Sequence, residues 1–464
     1  MEVNGKVVQG DCLEVLREMP SNSVDSVVTD PPYGLSKEPN VTEVLTKWIA
    51  GEPYDHGHGG FMGKSWDSFV PHPDVWKEVY RVLKPGGHAL VFAGTRTQDL
   101  MTIALRLGGF EIRDVIEWLY FSGFPKSMDV GKAFDKRRDD KDRIRVVCRF
   151  IRAAMDAQGL KSRELTQHFG DCNPRLIDHW AARDTDSQPS APTIEQYLKL
   201  KEVLGLTDEM DDLVYELNGR KGQLGEAWAD REKVGEKTSG IGQAFGDGVW
   251  VSESKVVDIT APATELARQW DGWGTALKPA HEPIIVARKP LAGTVAETVE
   301  KFGTGAINID GCRIGRVEGD RIEYGVNGDE PSDVTAGIYG KFAERMADTP
   351  HDAGRFPANC VTTYDDAFCS PYFNVTPREV CKKASKADRG AGNTHPTVKP
   401  TDLMAWLVRL VTPPGGTVLD PFAGSGSTPV AAEREGFGYI AIEREPEYVE
   451  IIRSRVGRAE GEAA

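Results

Sequence analysis

No stretch of this 464-residue chain approaches the ~20 consecutive apolar residues that a bilayer-spanning helix needs. Its opening residues, Met1 to Asn4, carry no basic-then-apolar leader, so export is not expected. Cysteine is scarce: seven residues, an odd number at irregular spacing, which argues against a disulfide framework and for a reducing, cytoplasmic setting. Positive charge is in deficit, with 56 Lys plus Arg against 71 Asp plus Glu and a net charge of -15. That balance excludes a uniformly basic nucleic-acid binder, and such a partner would need a locally basic surface. Internal repeats are absent too. What remains is an ordinary globular composition, 40% hydrophobic and 27% charged, with room for two to four domains at roughly 100–200 residues each.

The first 130 residues alternate helix-like and strand-like segments. Asp11 to Met19 reads as a helix, Val24 to Thr29 as a buried strand, and Gly34 to Pro73 as a long polar loop rich in Gly and His. Asp74 is expected to cap a helix that Lys84-Pro85-Gly86-Gly87 stops; strands follow at His88 to Ala93 and Phe110 to Phe121, with a helix at Gln98 to Leu107 between them. Such alternation predicts a mostly parallel sheet covered on both faces. From Lys132 to Arg152 nine basic residues face four acidic ones, +5 in a chain whose remainder sums to -20. Helical stretches then run to Leu204, and no β-like run is expected before about Trp250. Strand character returns at Glu282 to Lys289. After a Gly-rich region, a regular pattern resumes: a helix capped at Thr401-Asp402, a strand at Thr417 to Leu419, and a strand from Gly438 to Ile442 ending in Glu443.

Two motifs carry chemistry. In Asp420-Pro421-Phe422-Ala423-Gly424-Ser425-Gly426-Ser427-Thr428 a strand ends, glycines let the backbone turn tightly against a ligand, and a helix begins. Glu443 follows 23 residues later at the end of the next strand, where a carboxylate accepts ribose hydroxyls. No Lys follows Gly426, so this is not a phosphate loop, and a nucleoside without pyrophosphate fits better. Alone, the segment also reads as a bare strand-to-helix turn. The second motif is Asp30-Pro31-Pro32-Tyr33, directly after an apolar strand. Two prolines remove backbone donors and leave carbonyls beside a carboxylate and an aromatic face, an arrangement suited to a planar amino group on a heterocycle. By itself it also reads as a Pro-Pro turn.

Together the motifs resemble the S-adenosylmethionine-dependent amino-methyltransferases that methylate exocyclic nitrogens of DNA bases. Asp30-Pro31-Pro32-Tyr33 is similar to their catalytic motif and Asp420 to Gly426 to their cofactor motif, in the order of the circularly permuted β group. Gly10-Asp11-Cys12 resembles the segment near the cofactor adenine, and His395-Pro396-Thr397-Val398-Lys399-Pro400 the one flanking the methionine end. The resemblance covers roughly residues 1–130 and 250–456. It implies an α/β, doubly wound, Rossmann-like sheet in which both motifs face one crevice. Asp30, Pro31, Pro32 and Tyr33 are then catalytic. Asp11, Cys12, Asp30, Thr397, Lys399, Asp420, Phe422, Ala423, Gly424, Ser425, Gly426, Ser427 and Glu443 hold the cofactor. The implied substrate is the N6 of an adenine flipped from duplex DNA, with Tyr33 stacking on it. N4 of cytosine is the alternative, less favoured because cytosine enzymes more often begin the motif with Ser. A cognate restriction enzyme and a homodimer are partners open to such an enzyme; a membrane is not.

The implied organisation is a catalytic half (1–130), an inserted all-helical module (131–225), a return to the sheet (226–290), a target-recognition region (291–375) and a cofactor half (376–464). Within the insert, Ser162 to Ala182 has helix-turn-helix spacing and resembles phage-repressor DNA-binding modules, with Arg175, His179 and Arg183 directed at DNA; a small helical bundle with solvated charges is the other reading. Cys360, Cys369, Cys381 and His395 contain no C-x₂₋₄-C pair, so no metal is expected. His56, His58 and His72 read as polar loop residues closing over DNA. Rival functions are methylation of an RNA base, methylation of a glutamine side chain, whose enzymes more often begin the motif with Asn so that Asp30 argues against it, and a non-catalytic helix-turn-helix regulator.

Overall fold

The structure, a computed structural model, describes residues 4–34, 38–57, 68–120, 127–138, 140–169, 175–186, 188–220, 223–244, 250–313, 356–362, 374–375, 384, 386–390 and 392–457. The chain divides into two compact units, one of residues 1–124 and 279–464, the other of residues 125–278.

The first unit is built on a nine-stranded sheet. Its strands are β1 (Gly5–Gln9), β2 (Ser26–Thr29), β3 (His88–Phe92), β4 (Glu111–Leu119), β7 (His281–Arg288), β8 (Cys360–Thr362), β9 (Asn374–Val375), β10 (Thr417–Asp420) and β11 (Gly438–Glu443). Their spatial order is β1-β11-β10-β2-β3-β7-β4-β8-β9, parallel except for β7, which runs antiparallel between β3 and β4. β2 and β3 are buried along their whole length, as strands covered on both faces must be. Their side chains alternate between two cores. Val28, Leu90, Phe92 and Val418 pack with the helix Thr401–Val411 on one face. Val27, Ala89, Val91 and Leu419 pack with the helices Pro73–Val82 and Gln98–Leu107 on the other. This is the doubly wound, Rossmann-like arrangement expected from the sequence. The strand order reverses between β10 and β2, because the chain runs outward from β10 to β11 and outward the opposite way from β2 to β3. Open α/β sheets bind ligands at such a switch point, beyond the carboxyl ends of the strands.

Several local expectations need correction. The long loop after Tyr33 contains a helix, Val41–Ala50, capped by Asn40 and ended by Gly51 at φ 73°. Val44 and Trp48 supply its buried side, a helical spacing masked by the polar Gly/His run that follows. Helix Pro73–Val82 is capped by His72, whose Nδ1 accepts the Asp74 N–H, rather than by Asp74. The helix Thr401–Val411 starts after Pro400 without a side-chain cap. β1 was not anticipated; it is short, and it gains its place only by pairing with β11.

The second unit contains the helices Lys141–Ala157, Ser162–Thr166, Arg175–Trp180, Ile194–Leu204 and Asp211–Gly219 around a core that includes Val147, Ile151, Met155, Leu165, Trp180, Tyr197 and Leu200. Among the described residues of 131–225 every element is a helix, as expected; beyond them β5 (Lys233–Ala244) and β6 (Trp250–Thr260) form a separate antiparallel hairpin, so residues 226–278 do not return to the large sheet and only β7 does. Asp135 and Arg231 form a buried ion pair within this unit, and Asp135 also accepts the Ala263 and Thr264 N–H groups. In the first unit, Leu119 of β4 pairs with His281 of β7, and Tyr120 N–H donates to the Ala280 carbonyl at 2.8 Å. The second unit is thus inserted in the chain where a hairpin turn would otherwise join β4 to β7.

Candidate active site

The two motifs meet at the switch point. β10 pairs with β2 in the register Val418↔Ser26 and Leu419↔Val27, so Asp420 and Asp30 leave the sheet from neighbouring strands. Thr29 Oγ1 donates to Asp420 Oδ1 at 2.6 Å across this seam, and the Thr428 hydroxyl donates to the Val28 carbonyl at 3.2 Å. Asp420 is only 4% exposed, and burial pushes its carboxyl up to about 6 despite hydrogen bonds from Thr29, Thr428 and the Phe422 N–H.

After Asp420 the chain turns through Gly424 (φ 52°) and Gly426 (φ 86°), left-handed conformations that favour glycine. A Cβ on Gly424 would lie 3.0 Å from His395 Nε2, and one on Gly426 3.0 Å from Ile452 Cγ2. Phe422 packs into the core near Trp76, Ala423 N–H donates to the Ile442 carbonyl, and Ser425 and Ser427 are buried. Arg455 braces the turn by donating to the Ser425 carbonyl at 2.6 Å and to the Asp388 carbonyl at 2.6 Å. Glu443, at the end of β11, accepts the Gly424 N–H at 2.8 Å and the Glu445 N–H at 2.9 Å. Burial raises its carboxyl above the usual range, and the two backbone donors offset part of that. Each carboxylate oxygen keeps a second lone pair for a hydroxyl donor. Gly10 N–H donates to the Glu443 carbonyl at 3.0 Å, which brings Asp11, the cap of helix Cys12–Glu18, and Cys12 beside the same strand end. The Cys12 thiol is pushed up to about 12, chiefly by burial, and is held as a neutral packing group. A glycine turn without a phosphate-binding lysine, next to a strand-end carboxylate, fits the nucleoside part of S-adenosylmethionine.

The corner formed by Asp30 to Tyr33 is more crowded than the sequence implied. Tyr33 OH donates to Asp30 Oδ1 at 2.7 Å and stands 3.2 Å from Glu282 Oε2, while its carbonyl accepts Thr97 Oγ1 at 2.6 Å. Lys399, 8% exposed, places its ammonium 2.5 Å from Asp30 Oδ2, 3.2 Å from Tyr33 OH and 3.4 Å from Glu282 Oε2, over the Phe92 ring. Burial alone would lower its pKa, but Asp30 and Glu282 outweigh that and the net direction is up. Burial, then the Asp30 and Glu282 charges, raise the Tyr33 phenol well above its ordinary value. Lys399 therefore faces the Asp30 carboxylate directly. Thr397 instead offers its carbonyl to His395 Nδ1 at 2.5 Å, and the buried His395 ring, its pKa lowered chiefly by burial, packs edge-on against Tyr448. Glu282, Thr29, Thr97 and Arg455 were not anticipated. Only Glu282 left a signal, as an acidic residue opening an otherwise apolar strand.

The residues expected to read DNA lie in the second unit. Of Arg175 only the backbone is described, and the turn at 170–174 lies outside the described residues. His179 Nδ1 donates to the Gln188 carbonyl at 2.9 Å, and Arg183 is exposed. Both line a cavity of about 800 Å³ together with Arg152, Lys161 and Asp178. Much of the basic run is engaged internally: Arg143 with Glu216, Arg149 with Asp184 at 3.0 Å, and Arg145 and Arg152 with the Arg183 and Ala181 carbonyls. Most of the Gly-rich candidate for target recognition, 314–355 and 363–373, is outside the described residues, as are His58, Cys369 and Cys381. His56 stacks on Phe69. Among the described residues no His, Cys, Asp and Glu group could hold a metal, and no helix is long and apolar enough to cross a membrane.

Comparisons with known proteins extend this picture. Type II methyltransferase M2.DpnII of Streptococcus pneumoniae is 44% identical over 71 residues, 15% of this chain and 26% of that protein. Type II methyltransferase M2.LlaDCHI of Lactococcus lactis subsp. cremoris is 38% identical over 73 residues, 16% of this chain and 27% of that protein. The match thus spans about a quarter of each curated relative's length. Among solved structures, a DNA modification methylase of Thermus thermophilus complexed with S-adenosyl-L-methionine has a TM-score of 0.36 at 16% identity, covering 99% of this chain and 97% of its own. The cytosine-N4-specific PvuII DNA methyltransferase has a TM-score of 0.38 at 15% identity, covering 98% and 86%. A likeness that distant transfers no residue's role. The family described as DNA methylase, of N6/N4 type, matches residues 24–139 and 241–454, more than half of the chain and both sides of the switch point. The protein is a member of the N6/N4 DNA methylase family, whose methyl donor is S-adenosylmethionine.

Proposed function

We propose that this protein methylates the exocyclic N6 of adenine in duplex DNA, at a site where Asp30-Pro31-Pro32-Tyr33 receives the flipped base. The observation that supports this best is the β10–β2 register, which sets the acidic corner and the glycine turn on neighbouring strand ends. Asp11, Cys12, the turn from Asp420 to Ser427, and Glu443 would hold the cofactor. The bound cofactor supplies an electrophilic methyl on a sulfonium sulfur.

An exocyclic amine is a weak nucleophile because its lone pair is delocalised into the ring. The Asp30 carboxylate and the Pro31 carbonyl accept its two N–H bonds, draw the nitrogen toward tetrahedral geometry and free the lone pair for in-line attack. Asp30 Oδ2 then takes the proton that the alkylated amine sheds. Tyr33, its hydroxyl tied to Asp30 and Glu282 and its carbonyl to Thr97, presents a fixed ring for stacking. Catalysis is mostly positioning and electrostatic stabilisation, without a covalent enzyme intermediate. The preference for adenine follows from the Asp that opens the motif. The second unit serves as an auxiliary DNA anchor through His179 and Arg183, and the enzyme works on cytoplasmic DNA beside a cognate restriction activity.

Asp30→Ala tests this reading. Tritiated methyl transfer to unmethylated DNA should fall to background while cofactor affinity by calorimetry stays within a few-fold, and retained transfer would refute the assignment. Mass spectrometry of digested product DNA should yield N6-methyladenine; N4-methylcytosine would overturn the choice of base.

A further inference from the structure

Two carboxylates, Asp30 and Glu282, each about a fifth exposed, converge on one nearly buried ammonium and one phenol. Asp30 Oδ2 and Glu282 Oε2 lie 2.5 and 3.4 Å from Lys399 Nζ, and the Tyr33 hydroxyl lies between them, 2.7 Å from Asp30 and 3.2 Å from Glu282. We propose that Lys399 is a positioning residue whose ammonium balances the Asp30 carboxylate against a second carboxylate, and that the Lys399–Glu282 pair thereby keeps Asp30 an acceptor for the target amine. This rests on the reading of Asp30 as that acceptor.

The argument is one of charge count. Without Lys399 the pocket would hold two like charges bridged only by a neutral hydroxyl. Like-charged carboxylates sharing a site cannot both stay ionised, and one takes a proton well above the usual carboxylate range. A protonated Asp30 would donate where it must accept and could not receive the proton of the alkylated amine. With Lys399 present the cluster carries a single net negative charge, and both carboxylates remain acceptors. Glu282 in turn holds the ammonium and the phenol on Asp30. Among the described residues, the other titratable groups facing the cluster are Tyr120 at the end of β4, which hydrogen-bonds Glu282, and His395 and Asp420 across the seam. None brings a fixed positive charge: burial disfavours the imidazolium of His395, and Tyr120 and Asp420 carry no cationic form.

The test uses the full-length protein in single-turnover methyl transfer to unmethylated duplex DNA, with saturating cofactor, from pH 5 to 9. In K399M the acidic limb of the rate profile should rise by about 1–3 pH units, the size of a lost neighbouring charge. In K399M/E282Q, with Asp30 the one carboxylate left on the Tyr33 hydroxyl, the limb should return to its wild-type position. E282Q alone should move it to lower pH, and K399R should leave it near wild type. A lysine needed only for packing would not be rescued by removing one of its own partners. An unmoved limb in K399M, or a shift or total loss that E282Q fails to reverse, overturns the proposal. If K399M does not fold by thermal melting, E282Q decides, and an unchanged limb there overturns it as well. Asp30→Ala, run in parallel, separates the two readings: activity in that variant defeats the acceptor assignment, whereas its loss with an unmoved K399M limb defeats the Lys399 inference alone.

Discussion

Replacing Asp420 by Asn should make the protein more stable at neutral pH. Asp420 lies at the end of β10, 4% exposed, with its carboxyl raised to about 6 from an ordinary 3.8. A carboxyl whose folded pKa lies above its unfolded value costs stability as the pH rises: the cost is absent below the unfolded pKa and complete above the folded one. The shift corresponds to about 3 kcal/mol at pH 8, of which roughly half develops between pH 5 and 8. Asn cannot ionise, yet its Oδ1 still accepts the Thr29 hydroxyl and the Phe422 N–H that now bind Asp420 Oδ1. The stability of D420N relative to wild type should therefore grow by about 1 kcal/mol from pH 5 to pH 8. Denaturant titrations of both proteins at the two pH values measure this, and the second compact unit, identical in both, cancels in the comparison. A difference independent of pH would refute the argument, and so would a variant that loses stability as the pH rises.

Three further outcomes follow from the same geometry. Glu443→Ala should weaken cofactor binding about 10–100-fold by calorimetry, the value of one or two hydrogen bonds to a charged group, with the rate at saturating cofactor little changed. Asp135→Ala strands the buried Arg231 guanidinium and should cost the second unit about 3–5 kcal/mol, read as an earlier unfolding transition in calorimetry, whereas an unchanged transition would mean that water solvates the arginine. Because Tyr120 and Ala280 are hydrogen-bonded neighbours, replacing residues 121–279 by Asn-Gly should leave a folded sheet that binds cofactor and has lost DNA affinity; a variant that fails to bind cofactor would show that the second unit is part of the first unit's fold.

What was legible in the sequence is what is local. The strand before Asp30 and the strand before Asp420 announce themselves by apolar runs ended by prolines and glycines, and Glu443 by its place one βαβ unit further on. Asn40 and the helix after it were hidden, because turn-forming and polar segments surround a ten-residue helix whose buried side is only Val44 and Trp48. β5 was missed for a similar reason: Lys233 to Ala244 is rich in Gly and polar residues, and it becomes a strand only by pairing with β6. Neither element has a period strong enough to stand without its partner.

The site's electrostatics lie at the other extreme. Lys399 is 369 residues from the carboxylate it neutralises, and Glu282 is 249 from the phenol it holds. No spacing rule connects such residues. They meet because the antiparallel β7 is threaded between β3 and β4, which brings its first residues to the end of the sheet where the parallel strands finish. Since β7 runs opposite to its neighbours, its amino end and their carboxyl ends share one edge. An acidic residue at the start of β7 therefore faces the Asp30–Tyr33 corner, whereas one at its end, beside Arg288, would lie at the far side of the sheet. Direction of the strand, rather than position in the chain, makes Glu282 part of the site. The same reasoning explains the permuted order of the motifs: a parallel sheet presents every strand's carboxyl end to one crevice, so the chain can visit β2 and β10 in either sequence and still assemble the same pocket.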